Sequence, residues 1–145
     1  MSADWRRTAG MSASAVLAGL GGLHVYWAAG GQRGRAAVIP TTEQGRALLS
    51  PGPAASVAVA GLLVTAATSY AASASNARPR RLWRTTTATA ACVLGARAVG
   101  DRRHLGFTKT VRGTPFARRD TTVYAPLCAL LAVAGAAAVS ASKPA

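Results

Sequence analysis

Six polar side chains stand out against an otherwise apolar sequence: His24, Arg97, Asp101, His104, Asp120 and Tyr124. Arg97 and Asp101 are four residues apart. On a continuing helix they share a face and can pair, although base before acid is the weaker order. A charged group within a membrane segment faces the bundle or water and takes a partner; near a helix end it can instead snorkel to the headgroups. The expectation is a structural tie, Arg97–Asp101 or Arg97–Asp120, with a ligand-binding or proton-handling role as the alternative. His24, as a histidine, could relay a proton or bind a metal. The plainer expectation is a hydrogen-bonded histidine, with Asp120 or Tyr124 as its partner.

Several chemistries lack their residues. Two histidines and two nearby aspartates are too few and too loosely spaced for a metal centre, and neither a metal nor another cofactor is expected. Cys92 and Cys128 form no C-x-x-C and read as small buried hydrophobes. No Ser-His-Asp elbow or phosphate loop is present. The four acids Asp4, Glu43, Asp101 and Asp120 all fall at segment ends or in connectors. That placement argues against a proton-coupled pump, which needs a carboxylate well inside a helix, and leaves a passive or accessory role open.

The elements that must position these residues are four apolar stretches, about 8–30, 53–75, 82–100 and 122–142. Each approaches the ~20 residues that cross a bilayer as a helix. Only 14% of the 145 residues are charged, against about 25% in soluble domains. Mean hydropathy is a modest +0.23 because the runs use Ala, Gly, Val, Ser and Thr more than Leu, Ile or Phe. The expected fold is all-α: an integral membrane four-helix bundle of up-and-down topology, one domain over 1–145.

Run one carries Gly10, Ser14, Ala18 and Gly22 at four-residue spacing, a seam that lets another backbone approach. Gly22 and His24 lie about 200° apart on a helix. A His24 that faces inward therefore turns much of the seam toward another protomer or partner membrane protein. Tyr26 and Trp27 favour the membrane–water interface, and Gly30-Gly31 ends the helix. The start of Trp5-Arg6-Arg7 is read as an uncleaved first helix rather than a signal peptide. Pro53 suits the first turn of run two. Run three is the least secure, with many threonines and Arg97 inside it. Asp120-Thr121-Thr122 reads as the N-cap of run four, with a local kink at Pro126. The stretch Ala36–Pro40 is expected against the membrane surface.

Up-and-down crossings bring the end of run one, the start of two, the end of three and the start of four to one surface. The candidate cluster His24, Tyr26, Trp27, Arg97, Asp101, Asp120 and Tyr124 collects there.

The net charge of +13 comes from 17 basic and 4 acidic residues. The basic residues fall almost entirely between the runs, as anchors for anionic lipid headgroups do. No nucleic-acid signature accompanies them, and nucleic acid is not an expected partner. Seven basic residues lie on the side of the termini and ten on the side of the long connectors. The seven are denser, and the positive-inside rule weights short loops. The termini are therefore expected in the cytoplasm.

Several segments carry a family resemblance. They are Leu23-His24-Val25-Tyr26-Trp27-Ala28-Ala29-Gly30-Gly31, the Pro40 connector, Arg97-Ala98-Val99-Gly100-Asp101, Phe116-Ala117-Arg118-Arg119-Asp120 and Tyr124-Ala125-Pro126-Leu127-Cys128. Over nearly the whole chain the sequence resembles the small bacterial membrane proteins of domain-of-unknown-function family 3995. The resemblance implies a four-helix membrane protein and no particular activity. The leading expectation is a non-enzymatic, multi-pass protein of a bacterial inner membrane whose polar cap binds a partner protein, lipid or small ligand. The alternative is a small membrane enzyme or carrier with a His/Arg/Asp pocket. An enclosed polar pocket would favour the alternative, and a filled bundle with Arg97 already paired would favour the first.

The topology is testable by cysteine labelling in a background with Cys92 and Cys128 replaced by alanine. Arg46→Cys should react with an impermeant maleimide on intact cells. Arg80→Cys should react only after permeabilisation. Labelling of both from the same side would refute the up-and-down order, and the reverse pattern would invert the orientation.

Overall fold

A computed structural model describes residues 3–141. Four long helices form the bundle: α1 (Ala3–Ala28), α3 (Pro53–Ala74), α4 (Arg80–Val99) and a last helix built of α5 (Pro115–Arg119), a π turn (Asp120–Tyr124) and α6 (Ala125–Ala141). A short α2 (Arg35–Val38) lies in the first long connector. The long helices pack in the ring α1–α3–α4–α6, with α3 and α6 also in contact across it. The fold is an all-α membrane bundle of up-and-down topology. Three of its helices, α1, α3 and the last, are long and apolar enough to cross a membrane. Four crossings were expected; α4 is too polar to qualify by composition, because threonines and Arg80, Arg81, Arg84 and Arg97 dilute its apolar residues.

Local chemistry sets the boundaries. Helix α1 ends in a Schellman motif: Gly31 N donates to Tyr26 O and Gly30 N to Trp27 O, with Gly30 at φ 98°. That conformation is open to glycine and strained for other residues. Helix α3 ends the same way on Asn76, at φ 55°. The last helix starts seven residues earlier than its apolar content implies. Thr114 is its N-cap, accepting from Ala117 N, and Pro115 takes the first turn. Asp120 is therefore inside the helix rather than at its cap. Its widened turn lies just ahead of Pro126, whose ring cannot sit against a tight preceding turn. The expected end at Ser142, and Lys143 beyond it, lie outside the described residues.

Small residues set the packing distance. A Cβ at Gly10 would stand 2.9 Å from Ala74 Cβ and 3.0 Å from Ala138 Cβ. Ser14 Oγ donates to Ala67 O at 2.7 Å. Ala18 and Gly22, further along the expected seam, are exposed. Four-residue steps drift about 40° each on a helix of 3.6 residues per turn, so the seam winds from α3 toward the outside. Tyr70, fully buried in an alanine-rich interior, donates its hydroxyl to Leu131 O at 3.0 Å. Gly135 makes room for it: a Cβ there would sit 2.4 Å from the Tyr70 hydroxyl. Between α3 and α4, buried Ser73 and Thr87 share a hydrogen bond of 3.0 Å.

Gly135→Ala should therefore lower stability by about 1–3 kcal/mol, the usual range for overpacking. Gly61→Ala, with nothing within 4 Å of the added carbon, should be neutral or stabilise by up to ~1 kcal/mol. Thermal melting in detergent distinguishes the two; equal effects would contradict the Tyr70–Gly135 fit.

Candidate functional site

The connector end of the bundle holds two distinct arrangements. The first is a buried charge cluster around Asp120, whose side chain is fully buried. Oδ1 accepts from Arg97 Nη2 at 2.6 Å. Oδ2 accepts from Gly106 N at 2.7 Å and from Lys109 Nζ at 3.0 Å. Lys109 Nζ also donates to Gly106 O at 2.7 Å, and its side chain is only 2% exposed. One carboxylate thus joins the last helix, α4 and the second connector. Arg97 Nη1 is buried without a partner among the described residues, so the arginine is not fully satisfied by this pair.

Local folding puts the connector in reach. Residues 100–111 turn back over the end of α4, where carbonyls lack helical partners. Phe107 N donates to Ala98 O, and Thr108 donates to Val99 O through both its amide and its hydroxyl. The backbones approach so closely that a Cβ at Gly100, which has φ 97°, would stand 1.7 Å from Leu105 O. Asp101 does not pair with Arg97. Its Oδ1 accepts from the amides of Arg103, His104 and Leu105 at 2.9, 2.7 and 2.8 Å. Slight burial pushes the Asp101 carboxyl up, but the donors of Leu105, His104 and Arg103 outweigh it and hold the group at about 2.

The second arrangement is a cavity of about 500 Å³ between α1, α3, the start of α6 and the first connector. Its walls are mostly aliphatic, including Leu20, Ile39 and Leu127; His24, Arg35, Ser56, Tyr124 and Cys128 supply its polar atoms. The first connector forms the roof, tied to the bundle at two places and braced within itself at a third. Trp27 Nε1 donates to Arg33 O at 2.9 Å, Tyr124 hydroxyl to Ala37 O at 3.1 Å, and Arg35 Nη2 to Pro51 O. The segment Ala36–Pro40 thus turns over the bundle as part of α2 and the cavity roof. Helix α2 also packs against α5.

The expected cluster therefore divides. His24 and Tyr124 line the cavity and Trp27 lies under its roof, whereas Arg97 and Asp120 belong to the charge cluster. Asp101 is exposed on its loop, and Tyr26 is 43% exposed. His24 bonds neither Asp120 nor Tyr124: its Nδ1 lies 2.9 Å from Leu20 O, which requires a proton on Nδ1, and its ring meets Trp27 edge-on. In the neutral ring Nε2 is then an acceptor. Among the described residues no group of three metal-ligating side chains forms. Lys109 was missed by the sequence argument, because a connector lysine reads as a solvated charge; Gly106, three residues before it, marks the tight turn that carries it inward.

A family model described as "Protein of unknown function (DUF3995)" matches residues 17–135, well over half of the chain, and the chain belongs to this family. No curated protein and no solved structure matches it.

Losing the Asp120 charge should strand the buried Lys109 and the half-buried Arg97. Asp120→Asn is expected to cost about 3–5 kcal/mol, as removal of one partner from a buried pair does. Arg97→Ala should also lower folded yield well below that of Arg102→Ala, whose side chain is exposed. Yield and melting in detergent check both; equal behaviour of the Arg97 and Arg102 variants would refute the structural pairing.

Proposed function

We propose that this DUF3995 chain is a single-domain bacterial membrane protein that crosses the bilayer four times and binds the hydrocarbon part of a membrane lipid in its connector-side cavity, without covalent chemistry. The cavity carries the proposal. About 500 Å³ is within the range of small-ligand sites, and walls of Leu, Val, Ile and Pro favour an apolar occupant. Its rim includes Leu23, Leu49, Val59 and Val123, all exposed. A ligand could thus enter from the lipid without passing through water.

The length of α4 and its neighbours support a fourth crossing. Its 20 residues extend about 30 Å, the thickness of the hydrocarbon core. Two of its polar side chains have partners on neighbouring helices, Thr87 on Ser73 and Arg97 on Asp120. Arg80, Arg81 and Arg84 stand at its start, where anionic headgroups would hold them. The termini then share a side, and the density of positive charge favours the cytoplasm.

A binding role is favoured over an enzyme or carrier with a His/Arg/Asp pocket. The charged side chains that such chemistry needs are engaged with one another, and neither Arg97 nor Asp120 lines the cavity.

Lipid analysis of the detergent-purified chain tests this. Ala55 is exposed and lines the cavity, while Val57 is exposed and does not. A lipid near one per chain should accompany wild type and Val57→Trp, and fall at least several-fold in Ala55→Trp. Absence of lipid from wild type, or equal retention in both variants, would overturn the proposal.

A further inference from the structure

The cavity has a polar neighbour. A cleft of about 310 Å³ lies on the first connector and includes Gln32, Arg35, Ala36 and Ser50 in its walls. It shares Arg35, Ile39, Leu49 and Pro51 with the apolar cavity. The connector therefore divides an almost wholly apolar compartment from one of mixed character, and Arg35 borders both. Such an arrangement fits an amphiphile, with its chain on one side and its head on the other.

The charge of the head follows from the residues around it. Arg35 directs one N–H to Pro51 O, out of five that a guanidinium carries. Neither an aspartate nor a glutamate pairs with it among the described residues; both ion pairs there converge on Asp120. The cleft itself contains no acidic side chain. Gln32 donates its amide to Gly30 O at 3.2 Å, leaving a second amide hydrogen available. Over residues 32–52 the charges are Arg33, Arg35 and Arg46 against Glu43. A planar guanidinium with free donors in a basic, partly enclosed cleft selects an oxyanion, phosphate above all.

We propose that the ligand is an anionic phospholipid, with its phosphate held at Arg35 and Gln32 in the cleft and one acyl chain in the cavity. This rests on the lipid-cavity reading and adds a headgroup charge and a residue that selects it. The roof ties, Trp27 to Arg33 and Tyr124 to Ala37, keep the Arg35 segment over the chain without occupying its guanidinium.

Native mass spectrometry of the delipidated full chain, titrated with phosphatidylglycerol or with the phosphate-free diacylglycerol of identical acyl chains, separates the possibilities. Wild type should bind the anionic lipid about tenfold more tightly, the gain of roughly one charge-assisted contact. Arg35→Gln should reduce that preference to less than about threefold while changing diacylglycerol affinity less, and Arg35→Lys should restore part of it. Arg33→Gln, outside the cleft lining, should keep the preference. Equal effects of Arg33→Gln and Arg35→Gln would mean diffuse surface attraction and overturn the site. Equal binding of both lipids by wild type, lost in Ala55→Trp, would overturn the headgroup assignment alone. No binding of either lipid, or binding indifferent to Ala55→Trp, would overturn the cavity reading with it. If Arg35→Gln fails to fold, Arg35→Lys and Gln32→Ala should each lower the preference, and a tenfold preference intact in both would equally exclude the cleft.

Discussion

The carboxylate of Asp120 is the group on which the connector end of this bundle depends. It is fully buried and accepts three hydrogen bonds, from an arginine on α4, a lysine in the second connector and a backbone amide of the same connector. A buried carboxylate without such partners is costly, and so are a buried lysine and an arginine at the edge of the hydrocarbon. Each member of the cluster makes the others tolerable. The connector is then fixed to the helix ends by electrostatics as well as by its backbone bonds to Ala98 and Val99. A net positive cluster remains, which suits an end that faces anionic headgroups.

Below that end the bundle is held by closeness rather than by bulk. Gly10, Ala74 and Ala138 bring three helices together, and Gly135 accepts the ring of Tyr70. In lipid the hydrophobic effect gives no net attraction between helices, so van der Waals contact and interhelical hydrogen bonds must supply it. Ser14 on Ala67, Ser73 on Thr87 and Tyr70 on Leu131 are bonds of this kind. They also explain how a helix as polar as α4 has a place in the bundle.

The helices were legible in the sequence because apolar run length and terminal punctuation act locally. Gly30 and Pro53 mark boundaries through backbone geometry alone. The start of the last helix was misplaced because Arg118 and Arg119 dilute its first turn, while Thr114-Pro115 is the stronger cap. The need of Arg97 for a carboxylate was legible, with Asp101 and Asp120 both on offer; Asp101 is taken by the amides of its own loop, which leaves Asp120. Lys109 was not, since its burial depends on a connector fold set by Gly100, Gly106 and the Asp101 turn. The cavity was equally hidden: its walls come from four segments, and its roof is held because Trp27 and Tyr124 tie the first connector down and Arg35 braces it against Pro51.

The two halves of the connector end have different work. The Asp120 cluster holds α4, the last helix and the second connector in register. The first connector is left to enclose an apolar chamber and a polar cleft. The central claim is that Asp120 organises this end through its charge, and a double-mutant cycle between Lys109 and Asp120 tests it most directly. Chemical or thermal unfolding of wild type, Lys109→Met, Asp120→Asn and the double variant would give the coupling. A coupling of about 2 kcal/mol or more is expected for two buried, contacting charges. Additive effects, within about 0.5 kcal/mol, would contradict the account.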